Sequence, residues 1–300
     1  NLYDFKADLQ LSLKRPDDAL KTYDQAIQIN PSQIKAYFSK ITLLRKLKRY
    51  HQVIAVCDDI LNENSLKRNS DYLKYAYLTK ANTYQQLSQL EEAIAACDAA
   101  IKISPGEMQP YLTKAHIYTE AEQWEKALHV YDQMIQDPTI QKDNRLIDAF
   151  TGRGHMNLQR MDWQAAQKDF QRAFEIDNKS SQAITGLAIC MVYNHQEEKA
   201  ISFVNEQLKN FEEDGLFHYN VACVYGRALI NLKDQKKTPE LQKTEKGYQE
   251  TAIQHLRKAS DLGFQEVEWM QKDPDLSEIQ PLSAFKTLVQ TLQKKANSLQ

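Results

Sequence analysis

Residues 17–31 read DDALKTYDQAIQINP, and residues 91–105 read EEAIAACDAAIKISP. Most positions differ, yet both keep two alanines seven apart, a larger residue between them and a closing proline. The triplets are Ala19, Tyr23, Ala26 and Ala93, Cys97, Ala100, and the same order returns at Ala166, Phe170, Ala173. Spacings of four and three place each triplet on one face of a helix. With Ala19 as a marker, equivalent positions fall at Val53, Ala93, Ala127, Ala166 and Ala200, separated by 34, 40, 34, 39 and 34 residues. The chain therefore repeats every 34 residues, and its two longer steps coincide with SLKRNS (65–70) and PTIQKD (138–143). These polar insertions read as loops between repeats, where added residues cost little closure entropy.

A second small residue recurs about twelve positions before each marker, at Ala7, Ala81, Ala115, Gly154 and Ala188. Tyr3, Tyr77, Tyr111, Phe150 or Ile184 stands four residues earlier. Each unit thus reads as a helical hairpin: small side chains let two backbones approach, larger ones fill the remaining gap, and Pro31 or Pro105 stops the second helix.

The pattern in YLTKAHIY (111–118) and DDALKTYDQAIQINP resembles the tetratricopeptide repeat family. That resemblance covers residues 1–208 as six hairpins, the first starting in mid-motif, and implies an all-α, right-handed superhelical solenoid of antiparallel helix pairs. The second unit departs from it with Ile41, Val53 and Ile60 at the small places, and the sixth with Val204 and Gln207. Less regular packing is expected in those two hairpins.

Residues 209–262 read as a stretched seventh hairpin, with Ala222 in FHYNVACVYGRAL (217–229) and Ala252, Leu256, Ala259 in YQETAIQHLRKASDLG (248–263). Between them, LKDQKKTPELQKTEK (232–246) holds eight charged residues, five of them lysine, and reads as a solvated excursion. Residues 263–300 read as a C-terminal cap. Its run GFQEVEWMQKDPDLSEIQPLSAF (263–285) resembles the closing element of bacterial tetratricopeptide arrays appended to serine/threonine kinases or adenylate cyclases. Phe264, Trp269, Leu276, Ile279 and Phe285 are expected to cover the last hairpin, which has no neighbour. Asp273 and Asp275, flanking Pro274, read as a turn and helix cap.

Composition narrows the function. The 300 residues are 42% hydrophobic and 26% charged, with only eight glycines and eight prolines, which suits long helices better than turn-rich β structure. A net charge of −2 offers no general basic field for nucleic acid. No apolar run reaches the length of a membrane span, so membrane insertion is not expected. The chain opens on NLYDFKADLQ, without methionine and within a repeat, and the expectation is a piece of a longer protein. Cys57, Cys97, Cys190 and Cys223 form no closely spaced pair, so buried thiols in a reducing, cytoplasmic setting are expected, with neither a metal nor a cofactor. His116 and His155 share the ninth place of successive units but have no companion ligands at metal-binding spacing. No catalytic motif stands out, and the chain is not expected to be an enzyme.

In the tetratricopeptide family the second, fifth, ninth and twelfth places of each first helix line a concave groove. Here the resemblance assigns Lys35, Phe38, Thr42 and Arg45, then Tyr75, Leu78, Asn82 and Gln85, to that stripe. It continues with Gln109, Leu112, His116 and Thr119, then Asp148, Thr151, His155 and Leu158. Amides and hydroxyls mixed with a few apolar anchors suit an extended or helical protein segment. The carboxylate clamp by which some family members hold chaperone tails needs five residues in fixed places, and the nearest register gives Leu78, Asn82, Thr113, Asp148 and Gly152. Only Asn82 matches, so that mode is not expected. The reading is a non-catalytic protein-interaction scaffold. Its alternative is a regulatory or self-associating arm of a larger bacterial signalling enzyme.

Overall fold

The computed structural model describes residues 2–140, 146–233 and 235–298, and among them contains helices and no strand. The chain forms two compact units, Asn1–Leu146 and Ile147–Gln300. In the first, α1 (Leu2–Ser12) packs on α2 (Pro16–Ile29), α3 (Ile34–Lys46) on α4 (Tyr50–Asn62), α5 (Ser70–Gln86) on α6 (Leu90–Ile103), and α7 (Met108–Glu120) on α8 (Trp124–Gln136). In the second come α9 (Leu146–Gln159), α10 (Trp163–Ile176), α11 (Ser181–Tyr193), α12 (Glu197–Gln207), α13 (Gly215–Leu232) and α14 (Pro239–Asp261). They are followed by α15 (Val267–Lys272) and α16 (Ser283–Ser298).

One backbone detail fixes the register of the hairpins. Lys14, Lys48, Ser88, Glu122, Met161 and His195 all have φ between 55° and 60°, and their spacings of 34, 40, 34, 39 and 34 reproduce those of the alanine marker. Each is the left-handed residue that ends a first helix. The next amide donates back to a carbonyl five residues earlier, as in Arg15 to Gln10 at 2.9 Å and Gln123 to Tyr118 at 2.9 Å. This closed turn sends the chain straight into the second helix.

Within the hairpins the small places are sealed: Ala7, Ala19, Ala81, Ala93, Ala115, Ala127, Ala166 and Ala200 have no exposed surface. Phe170 shows the geometry best. A Cβ built on Gly186 would lie 2.4 Å from its ring, and one on Gly154 would lie 3.0 Å away. The phenyl ring thus fills the space that two glycines leave open on α9 and α11.

The second hairpin is more regular than its sequence led us to expect. Ile41, Val53 and Ile60 are fully buried and Lys48 makes the standard turn, because the usual bulky place is occupied by the small Cys57. Bulk has been exchanged across the interface, and such volume-conserving swaps cost little. In the sixth hairpin Val204 is likewise fully buried and His195 keeps the turn. The insertions also differ from plain polar loops, since each carries an apolar residue inward: Leu66 is 2% and Ile140 0% exposed. Residues 141–143 of the second insertion lie outside the described residues.

Successive hairpins of the first unit are joined by a ladder of ion pairs. Asp24 meets Lys40 at 2.5 Å, Asp58 meets Lys80 at 2.5 Å and Asp98 meets Lys114 at 2.6 Å. In each pair the aspartate follows the bulky place of one second helix, and the lysine precedes the small place of the next first helix.

A seventh hairpin forms from α13 and α14, with Ala222, Ala252, Leu256 and Ala259 fully buried. Much of the lysine-rich excursion is the start of α14, where Thr238 caps the helix by accepting the Leu241 amide and Pro239 takes the first turn. Asp234 lies outside the described residues. Beyond α14, Met270, Leu276, Ile279 and Phe285 are buried and Phe264 stacks on Tyr219 with centroids 4.3 Å apart. Trp269 departs from expectation: it is 53% exposed, because α15 turns the adjacent Met270 inward.

The Phe170 socket gives a test. Replacing Gly186 by alanine improves helix propensity by about 0.5–1 kcal/mol, but overpacking a filled core costs about 1–3 kcal/mol. With the ring already 2.4 Å from the new Cβ, the second effect wins. Urea unfolding of Gly186→Ala should show net destabilisation, whereas the half-buried Gly247, with nothing within 4 Å of its Cβ position, should gain stability from the same change.

Candidate functional site

The stripe named from sequence falls on α3, α5, α7 and α9, but its residues are not equally available. On α3, Lys35 is tied to Asp4 at 2.8 Å. Phe38 is half-buried, with its ring 4.1 Å from that of Tyr75 and 6.2 Å from that of Tyr72. Thr42 is exposed but donates its hydroxyl proton to the Phe38 carbonyl at 2.9 Å. Arg45 is exposed and has no ion-pair partner among the described residues.

On α5, Tyr75, Leu78 and Gln85 are half-buried and Asn82 is exposed. Burial raises the Tyr75 phenol above its ordinary pKa and keeps it neutral. Gln85 donates to Glu120 of α7. On α7, Gln109 and His116 are exposed and Leu112 is half-buried. His116 lies 3.5 Å from Glu120, and Thr119 donates to the Ala115 carbonyl at 2.9 Å. In the first unit the stripe is therefore an amide and hydroxyl surface with Phe38, Tyr75, Leu78 and Leu112 partly sunk into it.

In the second unit Asp148 and His155 of α9 are exposed and Leu158 is half-buried. Thr151 is only 3% exposed and donates to the Ile147 carbonyl at 2.9 Å, so it offers a partner almost nothing. The His155 ring meets the edge of Phe170 at 5.0 Å. Among the described residues no three His, Cys, Asp or Glu side chains cluster as a metal site.

Two arrangements escaped the sequence reading. Trp163 stacks on Tyr193 at 3.6 Å, and the Arg227 guanidinium lies 3.9 Å from the centre of the Tyr193 ring. Arg227 Nε is buried without a hydrogen-bond partner, and its Nη1 lies 3.7 Å from Asp275. Burial and the nearby Asp273 push the Asp275 carboxyl up to about 6. Tyr193 and Arg227 share the thirteenth place of successive units, but nothing in the spacing paired them with Trp163 or Asp275.

The second arrangement pairs His218 of α13 with His255 of α14, Nδ1 to Nδ1 at 2.8 Å. His218 Nε2 lies 3.1 Å from the Glu212 carbonyl. A carbonyl only accepts, so Nε2 of His218 carries its proton and Nδ1 is left to accept from His255. Burial, then the neighbouring His218, lowers His255 to about 4. The Tyr225 ring stacks beside His255 with centroids 6.2 Å apart, and the histidine pair reads as a clasp between the two helices.

The four cysteines are buried free thiols. Burial pushes Cys57, Cys97 and Cys190 up to about 12, and Cys223 is raised as well. They are poor nucleophiles. No helix among the described residues is long and apolar enough to cross a membrane.

Comparison with known proteins places this geometry. Residues 1–33 and 75–107, the first and third hairpins, match the tetratricopeptide repeat family. No curated protein matches the chain in sequence. The human IFIT1 dimer with m7Gppp-AAAA is similar in structure at 12% identity, over 98% of this chain and 67% of that one, with a TM-score of 0.53. PilW, a widely conserved type IV pilus biogenesis factor, is similar at 16% identity over 77% of this chain and 99% of that one, with a TM-score of 0.50. MamA aligns at 15% identity over 67% of this chain and 95% of that one, with a TM-score of 0.44. At these identities the likeness is one of fold.

The histidine clasp predicts a pH response. His255 is neutral when folded and titrates near 4, while an unfolded histidine takes up its proton near 6.5. Above that value stability is unaffected by this group. As pH falls from about 6.5 towards 4 the unfolded state binds more protons, and stability is lost. Discounted for partial exposure, the loss should be about 1–2 kcal/mol. Unfolding midpoints between pH 7.5 and 4.5 should slope for the natural protein and flatten for His255→Gln.

Proposed function

We propose that this tetratricopeptide-repeat chain is a non-catalytic scaffold whose first-helix stripe holds an extended or helical segment of a protein partner. The supporting observation is the first-unit surface: exposed Asn82, Gln109 and His116 stand beside half-buried Phe38, Tyr75, Leu78 and Leu112. Polar groups of that kind can satisfy a bound backbone, and recessed apolar groups can take side chains as anchors. Lys35 and Thr151 drop out of the contact set, the first because Asp4 holds it and the second because it is buried. The four sealed thiols suit a reducing, intracellular compartment.

A second reading, self-association as the arm of a larger signalling protein, is favoured by α1. Leu2, Phe5, Leu9 and Leu13 are 51–78% exposed and follow one another at helical spacing. In the hairpins that follow, the equivalent places are covered by the preceding second helix, as at Ala36, Leu43, Ala76 and Thr83. A second copy, or a helix preceding residue 1 in a longer protein, would bury it.

The two readings separate in one experiment. Leu78→Ala, Asn82→Ala and Leu112→Ala together should weaken capture of a groove-bound partner at least ten-fold, since anchor losses commonly exceed about 1 kcal/mol each, while circular dichroism stays unchanged. Sedimentation of Phe5→Glu/Leu9→Glu should shift to monomer if self-association is the function. Equal capture by the triple variant excludes the groove.

The C-terminal segment, in this proposal, acts as a cap on the last hairpin. Truncation after residue 262 would uncover the apolar surface now met by Met270, Leu276, Ile279 and Phe285. The shortened chain should melt earlier and aggregate. A normal melt would assign the segment to ligand binding or linkage.

A further inference from the structure

Where the cap meets the last hairpin, two carboxylates and one guanidinium are enclosed together. Asp273 is only 6% exposed and leads into the 3₁₀ turn Pro274–Leu276, which lies on the inner face of α13. Asp273 Oδ1 accepts the Asp275 amide at 2.9 Å, and its Oδ2 accepts the Tyr219 hydroxyl at 2.5 Å and lies 3.5 Å from Cys223 Sγ. A Cβ on Gly226 would collide with the Asp275 carbonyl oxygen, so the turn rests directly on the α13 backbone. The Asp275 carboxylate lies 3.7 Å from Arg227 Nη1, beyond hydrogen-bond reach.

The guanidinium is held where it is. It lies 3.9 Å from the centre of the Tyr193 ring, which stacks on Trp163 at 3.6 Å, and its Nε is buried without a hydrogen-bond partner. The other groups that face the two aspartates are neutral. Burial raises the Tyr219 phenol and the Cys223 thiol of α13, and pushes the Tyr193 phenol of α11 up to about 12. Gln280 donates its amide to the Asp273 carbonyl at 3.0 Å. Glu278, two residues beyond the turn, is already paired with Lys233 at 2.7 Å. With both aspartates ionised, the enclosed set therefore carries one negative charge more than Arg227 can balance, and one proton restores neutrality. In keeping with that count, burial and then the neighbouring Asp273 push the Asp275 carboxyl up to about 6, against the pull of Arg227.

We propose that residues 273–276 form a proton-responsive latch on α13, closed while Asp275 holds a proton and loosened when that proton leaves. The sign follows from linkage. In the open segment Asp275 meets water and titrates at about 3.9, so the closed joint binds the proton more tightly than the open one. Closure is favoured as pH falls from about 6 towards about 4, and is weakened above about 6. Opening bares the inner face of α13, so the latch makes access to that face depend on pH. It does so whichever surface of the chain holds a partner.

The test is hydrogen exchange of the full chain, read by mass spectrometry over residues 264–282 and corrected for the intrinsic pH dependence of exchange. In the natural protein the opening constant of this segment should rise about ten-fold from pH 5 to pH 7.5. Asp275→Asn keeps the shape of the side chain and stands in for its neutral form. It should be equally protected at both pH values, and better protected than the natural protein at pH 7.5. An ordinary ion pair to Arg227 predicts the reverse, with Asp275→Asn more open at both pH values. That result, or equal protection of the natural protein at both pH values, overturns the proposal. The histidine clasp responds to pH with the opposite sign, so His255→Gln should keep the ten-fold difference. Its disappearance in that variant would assign the response to the clasp and overturn the latch.

Discussion

The close approach of two helices over small side chains is the constraint from which the rest follows. Where Phe170 enters the gap between Gly154 and Gly186 there is no room for one added carbon, so the distance between backbones is set by side-chain volume. Once that distance is set, the first helix must end where the second can return. The left-handed turn at Lys14, Lys48, Ser88, Glu122, Met161 and His195 provides this. None of these residues is glycine, although glycine would adopt the conformation at least cost. The six strained turns are sustained by packing on both sides, which places the register with the core and not with local propensity.

Such a core fixes which faces remain. With the small and bulky places turned inward, the fifth, ninth and twelfth places of α3, α5 and α7 are left exposed or half-buried and carry the mixed surface. The Asp–Lys ladder runs alongside. Its lysines are largely covered, at 16–18% side-chain exposure, but its aspartates are about half-exposed, so each rung contributes little to stability. Its more important effect is to neutralise cations near the stripe. A lysine held by its own aspartate is less available to a partner.

Legibility in the sequence followed periodicity. The repeat and its helical hairpins could be read because helix packing imposes spacings of three, four and thirty-four on residue size. The exchange of bulk at Ile41, Val53, Cys57 and Ile60 shows the limit of that reading: each place taken alone looks irregular, and only their sum of volumes is conserved. Exposure along the stripe was harder to judge. Thr151 and Asn82 occupy comparable polar positions in sequence, yet one is buried and the other exposed, because neighbouring side chains decide the depth. The ladder lay in plain view in the aspartates after Tyr23, Cys57 and Cys97, and its signal was the recurrence of a charge beside the packing triplet. His218 with His255, and Trp163 with Tyr193 and Arg227, had no such signal, since pairings specified by a single instance of contact leave no period.

The last hairpin shows what an array does where repetition ends. Its first helix, Gly215–Leu232, runs past the usual turn and has no left-handed residue there. Its inner face is apolar or small where the others are amide-rich, with Tyr219, Cys223 and Gly226 in a row. Left open, that face would expose hydrophobic surface. Residues 273–276 cover it, but they do so with two carboxylates, which is costly unless each is paired. Tyr219, the Asp275 amide and Arg227 supply the partners. The arrangement trades hydrophobic exposure for a polar contact that leaves Arg227 Nε buried and unpaired. The stripe of first-helix places is therefore used twice in one fold, open on the first unit and filled by the chain itself on the last.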